Sequence, residues 1–189
     1  MSETLKSIMD SYRSGLLSTP NIQVLEKRLS NETIQFPEKL MANATFYFST
    51  FKNSSLVKME FINVHLQSSY FENCIFENCI FEKTHFRNAE FDNCMFKNCW
   101  FIRCTLHEVE ITKTIFNDCK FFKSGFDNAV FELCHFLKPI FEGVKGVHLG
   151  SAVIIDSKFS NSKKSIEFKE EVYFNHIFDQ IDKFYRDEE

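Results

Sequence analysis

Glycine and proline are scarce, at 5 and 3 of 189 residues, and there is 1 tryptophan. The chain has no glycine-rich phosphate-binding loop, no nucleophile elbow and no metalloprotease motif. No apolar run approaches the ~20 residues that a membrane-spanning helix requires, so no membrane role is expected. The start, Met1-Ser2-Glu3-Thr4-Leu5-Lys6, lacks the basic-then-apolar layout of a secretory signal, and the expected location is cytoplasmic. A surplus of positive charge is missing too: 22 Lys and Arg stand against 26 Asp and Glu, a net charge of −4. Without a basic stripe to neutralise phosphates, direct nucleic-acid binding is not expected. The length suits one domain.

What is abundant is phenylalanine, with 24 residues, and its spacing organises the chain. Stepping by five from Phe36 to Phe141 meets a large apolar residue at every position, among them Phe71, Phe76, Phe81, Phe86, Phe91, Phe96 and Phe101. Two residues before each of these lies a mostly small residue, such as Ser69, Cys74, Cys79, Thr84, Ala89, Cys94 and Cys99. A helix scatters a five-residue period around its axis, and a straight strand sends alternate members to opposite faces. The chain must therefore turn a corner within every repeat, with the large residue and its small companion both inside.

The outward position before each large residue shows how many repeats close one coil. It reads Ile75, Ile80, His85, Glu90, then Met95, Trp100, Thr105, Glu110, so like follows like at every fourth repeat. Four repeats per coil make a square cross-section. Two residues after the large position stands Asn at 43, 53, 63, 73, 78, 88, 93, 98 and 128, a residue that tolerates positive φ and so marks the corners. Stacking at the ~4.8 Å interstrand spacing gives about 5.5 to 6 coils and a rod of roughly 26 Å over the in-frame repeats. Leu149, Ile154 and Phe159 resume the period out of phase, which places a short loop around Gly143 to Gly146 and a last partial coil after it.

The repeats Cys74-Ile75-Phe76-Glu77-Asn78, Cys79-Ile80-Phe81-Glu82-Lys83 and Ala89-Glu90-Phe91-Asp92-Asn93 resemble those of pentapeptide-repeat proteins. From Phe36 to Phe141 and a little beyond, the chain is similar to that family, departing from it in its preference for Phe and Cys. The resemblance implies an all-β solenoid, a right-handed quadrilateral parallel β-helix.

A solenoid needs caps on its terminal coils. Leu5, Ile8, Met9, Tyr12 and Leu16 share a helical face, and Thr19-Pro20 suits the start of a second helix running to about Leu29. The expected division is a helical cap over 1–35, the coil over 36–160, and an amphipathic helix over 161–189 with Glu167, Glu170 and Glu171 near its start. The apolar stripe of that helix, Phe174, Ile177, Phe178, Ile181 and Phe184, serves either as a cap or for self-association. Relatives often dimerise through C-terminal segments, so the resemblance implies a homodimer.

All 7 cysteines, at 74, 79, 94, 99, 104, 119 and 134, fall in the small inward column and read as packed free thiols. His65 and His85 stack one coil apart with His107 nearby, either a solvated ladder or a two-histidine metal site. No catalytic residues, metal or cofactor are expected. Two outer features rise above background. Ile75, Ile80, Met95, Trp100, Ile102, Ile115 and Phe122 point outward on two adjacent walls, to be covered by a terminal helix or by a partner. Glu72, Glu90, Asp92, Glu110 and Glu132 gather on one wall as an acidic ladder.

Two functions fit these features. One is a non-catalytic scaffold for protein-protein interaction, including self-association, whose partner the sequence does not name. The alternative is implied by the resemblance: a DNA mimic that binds a type II topoisomerase, DNA gyrase or topoisomerase IV, and protects it from quinolones or peptide toxins.

Overall fold

A computed structural model describes residues 22–25, 28–30, 33–35, 40–42 and 44–186 of the chain, with side chains from residue 45 onward. Over this range the backbone coils as a parallel β-solenoid of square section. On the third face Ile34, Leu56, Phe76, Phe96, Phe116, Phe136 and Ile154 lie in register, one per coil. The fourth face stacks Met41, Phe61, Phe81, Phe101, Phe121, Phe141 and Phe159. The second stacks Leu29, Phe51, Phe71, Phe91, Ile111 and Phe131. The first is held beyond its opening rung by single bridges through Thr45, His65, His85, Thr105, Gly125 and Lys145.

Three-residue strands form because only the middle residue of each faces inward. Ile75-Phe76-Glu77 and Trp100-Phe101-Ile102 both bury the central ring and leave the flanking residues on the surface. On the first face the chain instead makes a tight turn, as where Ala89 N–H donates to Phe86 C=O at 2.8 Å. Every corner from Asn53 to Asn128 carries positive φ, including Asn53 (49°), Asn73 (54°), Asn93 (52°) and Asn128 (56°). The expected asparagines from 53 onward are all among these corners. Asn43 lies outside the described residues. Successive asparagines also bond to each other along the rod: Asn93 Nδ2 donates to Asn73 Oδ1 at 2.8 Å, and Asn73 Nδ2 to Asn53 Oδ1 at 2.9 Å.

The N-terminal segment corrects the expectation of a second cap helix ending near Leu29. Ile22–Leu25, Arg28–Ser30 and Thr33–Gln35 are strands paired with Ala44–Tyr47, Thr50–Lys52 and Ser55–Val57. Val24, Leu29 and Ile34 keep the five-residue step among themselves, and they pair with Phe46, Phe51 and Leu56. That interval is longer than the regular one, which Met41 restores by pairing with Phe61. Two extra residues before Leu40 break the frame and hide this first coil from a count begun at Phe36. Pairing with the next coil satisfies backbone groups that a separate helix would leave on an open edge. The expected helix over 3–17, the Thr19-Pro20 start and Phe36 itself lie outside the described residues.

The other end closes differently. Phe136 pairs with Ile154 and Phe141 with Phe159, a shorter interval than in the regular coils, after the irregular stretch that follows Glu142. Ser165–Phe168 then folds back antiparallel on Ser157–Ser160, and Val172–Tyr173 runs antiparallel to the strand through Ile154. The helix is confined to Phe174–Arg186, shorter than the expected 161–189. Its first turn holds no acid, and Lys183 and Arg186 favour its C-terminal dipole. Glu167 belongs to the hairpin instead, paired with Lys158 and Lys169. Phe174, Ile177, Ile181 and Phe184 are buried in the chain's own core, and Phe178 packs against it. Four of the five side chains of the stripe are thus occupied in capping the chain's own coil, and Phe178 is half-buried beside them. Tyr185 ties the helix down, its hydroxyl donating to Phe141 C=O at 3.2 Å.

Candidate interaction faces

The interior is closed to chemistry. All seven cysteines are buried, and each thiol donates to a backbone carbonyl of the coil before it, as Cys79 Sγ does to Leu56 C=O at 3.3 Å. Burial pushes the Cys104 thiol up to about 12 and that of Cys134 up to about 11. Cys99 is likewise raised by burial, and Cys79 is raised by its neighbour Cys99 and then by burial. For Cys79, Cys99, Cys104 and Cys134 the thiol, not the thiolate, is therefore the form present at neutral pH. Among the described residues no group of three or more His, Cys, Asp or Glu side chains is arranged to hold a metal ion.

The histidines separate into two sets. His65 and His85 stack on the first face with ring centroids 4.6 Å apart, and burial followed by the neighbouring His65 lowers the His85 pKa. His107 stands off that column and pairs instead with Asp127 at 2.9 Å. A depression of about 510 Å³ beside Asp127 is lined by Gly143, Gly146, Asp182, Tyr185 and Arg186. Arg186 is already joined to Asp182 there at 2.8 Å, so the pocket's charges are internally matched.

The acidic residues do share one wall. Glu90 pairs in register with Glu110, and Glu72, Asp92 and Glu132 follow one another in the adjoining column with Thr112 between the last two. Lys52 bonds to Glu72, and Thr112 Oγ1 donates to Asp92 Oδ1 at 2.8 Å. The negative field is felt locally. Burial first, then Glu72, Asp92 and Glu90, raise the Tyr70 phenol, with Lys52 opposing.

The outward apolar residues fall into three columns. Ile75, Met95 and Ile115 are successive rungs on the third face. Ile80 and Trp100 are successive rungs on the fourth, and Ile102 and Phe122 stand beside them in its second column. Ile75, Met95 and Trp100 are 44%, 38% and 41% exposed, high for large apolar side chains in the middle of a sheet. The C-terminal helix does not reach them. Trp100, Ile102, Phe122 and Ile140 line a shallow depression of about 450 Å³ with Lys120 and Glu142 at its edge. Lys120 Nζ sits 4.4 Å from the Trp100 ring centroid. Ile140 and Lys120 are not among the contact residues expected from the sequence. Counting on from Trp100 by whole coils of four repeats would have found both.

Residues 61–105 match a family model described as pentapeptide repeats in 9 copies. The repeats over residues 61–105 are pentapeptide repeats. Solved structures of pentapeptide-repeat proteins are similar in arrangement and distant in sequence. Rfr23 from the cyanobacterium Cyanothece 51142 is 12% identical, with 75% of this chain and 97% of that one covered and a TM-score of 0.45. HetL from the cyanobacterium Nostoc sp. strain PCC 7120, described as involved in heterocyst differentiation regulation, is 11% identical over 79% and 94%, with a TM-score of 0.23. Full-length QnrB1, a plasmid-mediated fluoroquinolone resistance protein, is 14% identical over 71% and 93%, with a TM-score of 0.21. Among curated proteins none matches the sequence significantly. Among the described residues no helix is long and apolar enough to cross a membrane.

Proposed function

We propose that this chain is a non-catalytic pentapeptide-repeat scaffold that binds protein through its third and fourth faces. The observation that supports this is the exposed apolar strip of Ile75, Met95 and Trp100 with the adjoining Ile80, Ile102, Ile115, Phe122 and Ile140. Solvent favours polar residues at such positions, and contiguous apolar surface on a rigid sheet marks an interaction site. A solenoid wall suits the task because its side chains stand at a fixed ~4.8 Å rise per rung, with no loop to order on binding. The test is a photoreactive phenylalanine analogue placed at position 100 and, as a control, at position 112 on the second face. Partner adducts from position 100 alone are the expected result. Equal capture from both faces, or none from position 100, ends the reading.

The carboxylate ladder supports a second reading, a DNA mimic acting on a type II topoisomerase. Glu90, Glu110, Glu72, Asp92 and Glu132 present acid on a single face. Its test is gyrase supercoiling and quinolone-stimulated cleavage with the purified protein. Protection that is lost in a Glu90→Lys/Glu110→Lys variant supports it, and unchanged gyrase at micromolar protein removes it.

A further inference from the structure

Resting on the scaffold reading and narrowing it to one wall, we infer that the third face, with its corner to the second, binds a basic amphipathic α-helix of another protein. The first outward column of the third face reads, in register, Ile75, Met95, Ile115, His135 and Val153, and Tyr173 takes the rung beyond by antiparallel pairing. No Lys, Arg, Asp or Glu interrupts it. Tyr173 is 48% exposed, close to Ile75 and Met95 in the same column, and Leu133 at the adjoining corner is more exposed still. In the second column Glu77 and Lys97 close on each other at 2.8 Å, and Leu137 and Ile155 extend the apolar surface.

Across the corner the chemistry turns acidic. From the Tyr70 rung to the Val130 rung the second face carries Glu72, Glu90, Asp92, Glu110 and Glu132 and no base. Glu72, Asp92 and Glu132 each precede a member of the apolar column by three residues: Ile75, Met95 and His135. Only the corner residues Asn73, Asn93, Lys113 and Leu133 stand between the two columns, and Lys113 is the single cation there. Among the described residues Glu90, Glu110 and Glu132 hold no ion pair, whereas Glu72 is joined to Lys52. A ligand with an apolar stripe and a cationic flank satisfies both columns at once. An acidic or uncharged one satisfies at most the apolar column.

The spacing selects the partner's secondary structure. Rungs rise by ~4.8 Å, while one stripe of an α-helix laid along the rod returns every ~5.4 Å and one face of a strand every ~6.7 Å. Over the four intervals from Ile75 to Val153, roughly 19 Å, the helix slips by about half a rung and the strand by about one and a half. About 13 residues of helix cover that distance. Lys or Arg on the flank toward the second face reaches over the corner, its stem on apolar surface and its head among the carboxylates. Contacts across one corner fall within the ~8 Å screening length at physiological salt, so affinity falls as salt is raised further.

The experiment uses the full chain and a labelled model peptide of about 14 residues, with leucine at helical three- and four-residue spacing and lysine elsewhere, read by fluorescence anisotropy. One comparison peptide replaces lysine by glutamate, and another alternates leucine and lysine in a strand pattern. The helical lysine peptide is expected to bind saturably in the micromolar range, and the glutamate peptide roughly tenfold more weakly or worse. Asp92→Asn/Glu132→Gln is expected to cost roughly fivefold in affinity and to flatten the salt dependence. Asp92→Asn keeps an oxygen for the Thr112 hydroxyl. Leu133→Asn, which places at this corner the residue found at 73 and 93, is expected to weaken binding several-fold with the circular dichroism unchanged. Glu82→Gln, which removes an acid from the fourth face, is expected to stay within about twofold of wild type. Equal binding of the glutamate peptide, tighter binding of the strand-pattern peptide, a loss in Glu82→Gln as large as in Asp92→Asn/Glu132→Gln, or no saturation below millimolar peptide overturns the inference. If no peptide binds while the photoreactive group at position 100 still captures a protein, this inference falls and the scaffold reading stands. Peptide bound as expected, with nothing captured from position 100, gives the reverse.

Discussion

Phe96 lies on Phe116 with ring centroids 4.9 Å apart and ring planes within 2° of parallel. The backbone ladder sets that distance, because neighbouring strands of a sheet sit ~4.8 Å apart. Between faces the rings meet edge-on, as Phe76 and Phe81 do at 5.9 Å and 65°. Phe96 is thereby stacked above and below and edged at the sides, with little room for relaxation around a lost ring. Phe96→Ala is expected to destabilise the fold by about 3–5 kcal/mol. Phe96→Leu, a residue the chain itself uses at positions 66 and 106, is expected to lose no more than about half as much. Urea unfolding measures both, and equal losses would show that the stack is not what the ring contributes.

The corner at Leu133 has φ 54° and its side chain is 66% exposed, an unfavourable place for leucine on both counts. Asparagine occupies the equivalent corners at 73 and 93. Leu133→Asn is therefore expected to raise stability by roughly 0.5–1 kcal/mol, since asparagine tolerates the left-handed region and is soluble there. A lower thermal midpoint for this variant would mean that Leu133 makes a contact worth more than its strain.

Buried thiols make the fold sensitive to alkali. An unfolded thiol ionises near pH 8.5–9, roughly, whereas Cys104 and Cys134 in the fold hold their protons to about 12 and about 11. Raised folded values mean that the unfolded chain loses protons first, so the contribution is complete below about pH 8.5 and fades as pH climbs toward 11 and 12. Stability should fall across that window, less steeply in Cys134→Ala. A thiol-reactive dye at pH 8 should label none of the seven cysteines in the native protein within minutes and all of them in denaturant. Rapid native labelling would contradict the closed interior.

His85 gives the opposite sign. Burial and His65 lower its folded pKa, so its contribution is present above about pH 6.5, the unfolded value, and is lost as pH falls. His85→Thr, which copies Thr105 one rung on, is expected to flatten the decline of stability between about pH 6.5 and pH 5. An unchanged slope in urea titrations would exclude the histidine stack as its source.

The coil was legible because one observation repeats. Phe76, Phe96 and Phe116 share a register that the four-repeat interval already contains, and asparagine at 73, 93 and 98 marks corners by its tolerance of positive φ. The ends were less legible for physical reasons. Val24, Leu29 and Ile34 carry the right spacing, but two inserted residues displace them from the main frame, and a short apolar spacing fits a helix as well. The fold-back of Ser165–Phe168 answers an open sheet edge, which exists only once the coil has formed. On the outside, Lys120 interrupts the column that leads to Ile140 with a charge, and only the structure shows that the lysine lies over Trp100.

The unvarying interval between successive rungs from Phe61 to Phe141 means that the rod is graduated. Excising residues 86–105 would join His85 to Leu106 without changing any inward or outward assignment. The closing hairpin and helix would simply descend one step, by ~4.8 Å. Length in this molecule is a discrete variable, and evolution or an engineer can alter its reach by whole turns while the rules for filling each turn stay the same.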